Sequence, residues 1–323
     1  MAGKRVLVNG LGGDLGSRVA ELLESEPWVD DLVGIDTDPP RRRLHRTRIH
    51  LASPHDHDRI VELIGAFNPH VVVHLSVWET CSRAAPKLAR ELTESAAVSM
   101  LGAVAECRAL ESIVVRSGVE VYGRARGNAT RPDEWSSVAP TCEFGRTLAN
   151  LEATATDIAR RVGVTVAAVR LGMVLGPHVP SPLGRLLRLP AVPFSLLADP
   201  PFGVVEDAET ARALVAAARR QLDEPVNVTA NGAITALQAI RRGRRLPIPL
   251  VGPEWRIARV IAELLGAPVP DHVLEALHRG RLASNGRMEE LLGFASATTT
   301  AGVVDRLYNW PSVIHVPARR QVA

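Results

Sequence analysis

Lysine and tyrosine are nearly absent from this chain. Among 323 residues, lysine occurs only at Lys4 and Lys87, and tyrosine only at Tyr122 and Tyr308. Aromatic residues of all kinds make up 4% of the chain. Cysteine is scarce as well. Cys81, Cys107 and Cys142 lie far apart and form no C-x-x-C pair, which excludes a disulfide framework and a cysteine zinc site and suits a reducing cytosol. No run approaches the 18 or so apolar residues of a membrane span, and residues 1–5 lead directly into an apolar strand without a signal-peptide core. The expectation is a soluble, cytoplasmic protein with no membrane partner. An excess charge of one sign is also missing: 38 basic against 35 acidic residues leaves +3, too little and too dispersed for a nucleic-acid partner.

What is present is an ordinary globular composition, 46% hydrophobic and 23% charged, long enough to bury a large core. Short β-branched runs alternate with helical patterns through the first half. Strands are expected at residues 5–9, 32–36, 48–51, 71–75, 112–117, 164–171 and 225–228. Helices are expected at 15–24, 58–67, 86–110, 144–162 and 207–222. Continuous apolar strands joined by helices indicate an α/β fold with a parallel sheet covered on both faces. Residues 178–203 are rich in Pro and Leu and lack a clear period, and short helices broken by Pro and Gly follow residue 234. The division read from this pattern is a sheet domain of residues 1–175 and 204–233, a smaller discontinuous domain of 176–203 and 234–316, and a tail of 317–323.

Gly10-Leu-Gly12-Gly13-Asp14-Leu15-Gly16 follows the first strand and opens the first helix. Glycines at that spacing let the backbone turn tightly and approach a pyrophosphate held on the helix N-terminus. Asp36 ends the second strand, where a carboxylate would hydrogen-bond an adenosine ribose. Arg41-Arg42-Arg43 follows closely and could clamp a 2′-phosphate. The cofactor expected is therefore NADP(H), with NAD(H) as the alternative. Leu51, Leu75, Ser76, Val77, Leu171 and Val174 are expected to complete its site. His55-Asp-His-Asp58 reads as a solvated loop, His74 as a core histidine and Arg241–Arg245 as a charged turn, so no metal site is expected.

The stretches from Val8 to Gly16, Val33 to Asp36, Val71 to Leu75, Val121-Tyr-Gly123 and Arg170 to Pro177 resemble the extended short-chain dehydrogenase/reductases, the NAD-dependent epimerase/dehydratase group. The resemblance implies a doubly wound sheet of Rossmann type, a nicotinamide cofactor and, in typical members, catalysis by a Ser or Thr with Tyr-x-x-x-Lys. Carried over residue by residue, those positions hold Gly118, Phe144 and Leu148. No shift of register restores the pair, because neither tyrosine is followed four residues later by lysine. Ser117, beside Gly118, is the remaining candidate catalytic hydroxyl. A substrate pocket is expected from Trp78, Ser117, Gly118, Phe144, Met173, Leu183 and Leu186.

These departures are similar to the atypical ketoreductases of polyketide antibiotic pathways. The implied activity is NADPH-dependent reduction of a carbonyl on an aromatic, angucyclinone-like polyketide, with the proton supplied by water or by a phenol of the substrate. A non-catalytic, redox-sensing nicotinamide-binding protein is the alternative. The helices at 86–110 and 144–162 could pair two copies as a homodimer.

Overall fold

A computed structural model describes residues 3–252 and 254–310 of the chain. The expected tail of 317–323 and the end of the smaller domain, 311–316, lie outside the described residues.

The chain begins as alternating strand and helix: β1 (Lys4–Asn9), α1 (Asp14–Glu24), β2 (Val29–Asp36), β3 (Arg48–Leu51), α2 (His57–Phe67), β4 (Val71–His74), α3 (Pro86–Val104) and β5 (Ser112–Gly118). A 3-10 turn (Val119–Tyr122) precedes α4 (Glu143–Val162), β6 (Thr165–Leu171) and β7 (Met173–Leu175). The remainder is α5 (Pro182–Arg188), β8 (Ala191–Ser195), β9 (Val204–Glu206), α6 (Asp207–Arg220), β10 (Val226–Val228), α7 (Ala236–Arg242) and β11 (Leu246–Leu250). Helices α8 (Glu254–Leu264), α9 (Asp271–Arg279), α10 (Met288–Leu292) and α11 (Thr300–Asn309) follow.

Seven strands form one parallel sheet in the order β10-β6-β5-β4-β1-β2-β3. Val6, Leu7 and Val8 of β1, Val71, Val72 and Val73 of β4, and Ile113, Val114 and Val115 of β5 are all buried. Strands covered on both faces in this way require unbroken apolar runs rather than alternation. On one face Leu15, Val19 and Leu23 of α1 pack with Ala211, Leu214 and Val215 of α6. On the other, Ile60 and Ile64 of α2, Met100 and Leu101 of α3, and Leu151 and Ala155 of α4 close the core. A third core gathers Leu183 and Leu186 of α5, Phe194 of β8, Phe202, Ile240 of α7, Val273 and Leu277 of α9, and Val303 of α11.

Two expectations about elements change. Helix α3 stops at Val104 rather than 110; Cys107 and Leu110 close tight turns there, and the Ala109 N–H donates to Asn68 Oδ1 at 3.2 Å. Residues 178–203, patternless by sequence, hold α5 and β8, and β8 pairs in parallel with β11. Both strands carry proline, Pro193 in one and Pro247 and Pro249 in the other, which hides a strand from sequence reading. Within the smaller expected domain, α10 instead places Met288, Leu291 and Leu292 in the core beside α6.

The chain runs outward from β1 through β2 to β3, then crosses to β4 on the other side. The strand order therefore reverses between β1 and β4, and the crevice beyond their carboxyl ends is where ligands of such sheets bind.

Candidate cofactor cleft and reaction pocket

A cleft of about 300 Å³ opens at that reversal. Gly10, Gly13, Asp14, Leu15 and Gly16 form one wall, Asp36 and Asp38 one end, and Leu75, Ser76, Val77, Trp78, Glu79, Arg83, Arg116 and Val174 the rest. Gly10 has φ +90°, and a Cβ there would lie 2.6 Å from Leu75 C and Ser76 N. A Cβ at Gly16 would strike the Gly10 carbonyl oxygen. Backbone this close leaves room only for glycine, and Gly13 caps α1 with no side chain on the helix N–H groups. A cradle of bare N–H groups at a helix N-terminus fits a pyrophosphate. Asp36 accepts the Gly12 N–H at 2.8 Å and, through its other oxygen, the Asp38 N–H at 3.1 Å. The turn thereby holds the carboxylate at the ribose end of the cleft.

The expected phosphate clamp is not assembled. Arg41 pairs with Asp14 at 3.5 Å and Arg42 with Glu21 at 2.8 Å, and none of the three arginines is among the residues lining the cleft. Arg83, which the sequence reading did not single out, does line it and lies 3.4 Å from Asp14. Burial lowers the Arg83 pKa, and the charge of Arg41 lowers it further. Leu51 is also corrected: it is 60% exposed on the edge strand β3. The solvent-facing edge is where an apolar side chain finds no wall to join.

Beyond the cleft lies a smaller pocket lined by Val77, Glu79, Arg116, Ser117, Gly118, Glu120, Phe144, Leu148, Leu171, Met173 and Val174. Gly118, Phe144 and Leu148 thus meet in one place. Gly118 has no space for a side chain, since a Cβ would lie 3.0 Å from Leu148 Cδ1 and closer still to the Glu120 carboxylate. Trp78 lines the cofactor cleft. Leu183 and Leu186 are fully buried in the third core and line neither cavity. They are packing residues, as apolar positions on a short two-sided helix usually are.

Ser117 faces the pocket, but its hydroxyl donates to Glu152 Oε1 at 2.5 Å. Arg170 Nη2 donates to Glu152 Oε2 at 2.6 Å, and Arg170 Nη1 donates to the Tyr122 hydroxyl at 2.9 Å. The Tyr122 hydroxyl in turn donates to Asn227 Oδ1 at 2.8 Å. Burial pushes the Tyr122 phenol above its usual range. The other tyrosine, Tyr308, donates to the Ala239 carbonyl at 2.9 Å, and burial raises its pKa to about 12. Neither phenol is positioned or tuned for proton transfer at this pocket, and Ser117 is committed to a carboxylate.

Three acidic or basic groups that sequence reasoning passed over reach the pocket instead. Arg116 donates to the Val77 carbonyl at 3.1 Å, and its pKa is lowered by burial against the opposing charges of Glu79 and Glu120. Glu120 lies 3.8 Å from Arg281, which also pairs with Glu275 at 2.6 Å. Glu79 Oε1 is 3.1 Å from Nε2 of His272 on α9. No spacing rule joins residues 79, 120, 272 and 281, and only Glu120 lies within the 116–123 segment that the sequence marked.

His74 is buried on β4 with Nδ1 3.1 Å from Asn9 Nδ2, and its Nε2 has no partner among the described residues. Burial drops its pKa to about 4, so it is neutral. Among the described residues no group of His, Cys, Asp and Glu side chains could hold a metal ion, and no helix is long and apolar enough to cross a membrane.

Comparison with known proteins agrees with this architecture. Uncharacterized proteins of Mycobacterium tuberculosis and Mycobacterium bovis are 25% identical over 314 residues, covering 94% of this chain and 82% of theirs. Among solved structures, a UDP-glucose 4-epimerase with UDP-glucose from Thermotoga maritima superposes with TM-score 0.72 at 14% identity, covering 95% of this chain and 98% of its own. A UDP-glucuronic acid 4-epimerase from Bacillus cereus, in complex with UDP-glucuronic acid and NAD, superposes with TM-score 0.73 at 16% identity and the same coverages. These likenesses are of fold. Residues 6–228 match the NAD dependent epimerase/dehydratase family, and with the glycine cradle and Asp36 in place the chain belongs to that family.

Proposed function

We propose that this protein is an NAD(H)-dependent reductase of a ketone on an aromatic polyketide, of the angucyclinone type. The observation that carries the reading is the small pocket beyond the cofactor cleft, where Phe144, Leu148, Leu171 and Met173 supply apolar walls and no tyrosine hydroxyl is available. When bound, the nicotinamide supplies a hydride. Gly10, Gly13 and Gly16 would hold its pyrophosphate, and Asp36 the adenosine ribose. NAD(H) rather than NADP(H) is favoured because Asp36 and Asp38 place carboxylates where a 2′-phosphate would sit, while Arg41 and Arg42 are turned toward Asp14 and Glu21.

Phe144, Leu148, Leu171 and Met173 offer an aromatic ring an apolar side of the pocket, and Arg116 offers a fixed cation toward which a developing alkoxide can form. The test is NADH oxidation by the purified protein with 8-hydroxy-1-tetralone, 2-tetralone and juglone, run against UDP-glucose and UDP-glucuronic acid. Turnover of the aromatic ketones with none of the sugar nucleotides is expected. Interconversion of a sugar nucleotide, or NADH binding with no ketone reduced, would overturn the reading.

A further inference from the structure

Ketone reduction consumes one hydride and one proton, and the reading above leaves the proton without a donor on the protein. We infer that Glu79, backed by His272, supplies it. This rests on the ketoreductase reading and deepens it.

Glu79 follows β4 and lines both the cofactor cleft and the smaller pocket, so it stands where the two meet. Behind it is His272, 2% exposed, with Nε2 3.1 Å from Glu79 Oε1. The Phe144 ring lies 4.8 Å from the imidazole at an interplanar angle of 40°. The imidazole is therefore held in place on one side by a ring and on another by a carboxylate. Its helix, α9, belongs to the C-terminal part of the chain, so the pair exists only when that part closes over the sheet.

The other polar groups of the pocket are unsuited to the task. Ser117 has its proton on Glu152. Arg116 can donate hydrogen bonds but does not release a proton near neutral pH. Glu120 faces Arg281, whose Nε and Nη1 have no hydrogen-bond partner among the described residues and which is 1% exposed. Protonating Glu120 would strip that buried guanidinium of part of its compensation. Glu79 alone combines access to the pocket with a second titratable group behind it. Arg116 of β5 has Glu79, Glu120 of the 3-10 turn and Arg83 of the turn before α3 as its charged neighbours, and Asp271 and Glu275 share α9 with His272.

The step balances simply. The carbonyl carbon gains the hydride, the C=O π electrons move to oxygen, and that oxygen takes the proton from the Glu79 carboxyl. Glu79 is left as a carboxylate, held by its hydrogen bond to His272, and regains its proton from water in the cleft it lines. Glu79 is then a catalytic residue and His272 a positioning one. The protein, rather than a substrate phenol or water, completes the reduction.

The experiment uses 8-methoxy-1-tetralone, a ketone whose neighbouring phenol is blocked, with NADH and the full-length protein. E79Q should lose at least 100-fold in kcat, in the range of a lost general acid, with an unchanged thermal melting curve as the check on folding. Formate should restore part of the activity of E79A and none of E79Q. Independently of cofactor and ketone, 15N-labelled imidazole signals of His272 in the cofactor-free protein, assigned with H272Q, should move in E79Q. E79Q turning over within threefold of wild type, or His272 signals unchanged by it, overturns the pair while leaving the ketoreductase reading intact. A wild type that reduces no ketone overturns that reading and the proton-donor role with it.

Discussion

Arg170 grips Glu152 through two nitrogens, Nη2 2.6 Å from Oε2 and Nε 3.0 Å from Oε1, and both side chains are buried. Burial alone would lower the arginine's pKa, but the hydrogen bonds and charge of Glu152 more than offset it and hold Arg170 above its usual range. The same pair takes the Ser117 hydroxyl at one end and the Tyr122 hydroxyl at the other. Two hydroxyls next to the reaction pocket are thus part of a structural network. Removing one partner of a buried ion pair leaves an uncompensated charge and costs about 3–5 kcal/mol. R170M should lose stability of that order in urea unfolding, and the double variant R170M/E152M should recover much of it. If R170M unfolds at the wild-type urea concentration, the network has no such role.

In the proposed reading Asp36 binds the adenosine ribose. Hydrogen bonds to a charged group are worth about 1.5–3 kcal/mol, so D36A should weaken NADH binding by roughly tenfold or more. The loss for NADPH should be smaller, because the variant also removes a repulsion, and the preference between the two should narrow. Fluorescence titration with both nucleotides measures this. A wild type that binds NADPH more tightly than NADH would contradict the geometry at Asp36.

Gly16 meets the Gly10 carbonyl where any side chain would begin. G16A must push the first turn of α1 away from the β1–α1 loop. The expected outcome is a loss of NADH affinity of more than tenfold, with a lower melting temperature from displaced backbone. Both are read from one thermal-shift titration with NADH. Unchanged binding would mean the loop does not carry the pyrophosphate.

His74 gives the fold a pH dependence. Its folded pKa is about 4, lowered by burial, against an ordinary value of 6.5. Above 6.5 the imidazole is neutral in both states and contributes nothing. As pH falls from 6.5 toward 4 the unfolded chain takes up the proton first, so stability falls, by roughly 3 kcal/mol once both states are protonated. Unfolding free energies at pH 7 and pH 4.5 should differ by less in H74Q than in the wild type. Equal pH slopes in the two proteins would rule the residue out.

The glycine turn and the place of Asp36 were legible in the amino-acid sequence because they are local. A strand, a glycine turn and a helix N-terminus follow one another within residues 4–24, and Asp36 ends the next strand. The arginine run was misread for the opposite reason. Whether Arg41 and Arg42 face a phosphate or Asp14 and Glu21 depends on where α1 lies against the loop, which short-range pattern does not encode. Leu183 and Leu186 show the same limit, since an apolar residue reads alike whether it lines a cavity or fills a core.

The order of strands and helices, the glycine cradle and the absence of any Tyr-x-x-x-Lys were determined by the sequence alone, through periodicity, backbone sterics and a simple count of residues. Which polar groups face the reaction pocket was decided only in three dimensions. Glu79 and His272 are 193 positions apart in the chain, and Glu120 and Arg281 are 161 apart. Charges so distant in sequence meet only because burial of the third core draws the C-terminal helices over the carboxyl edge of the sheet.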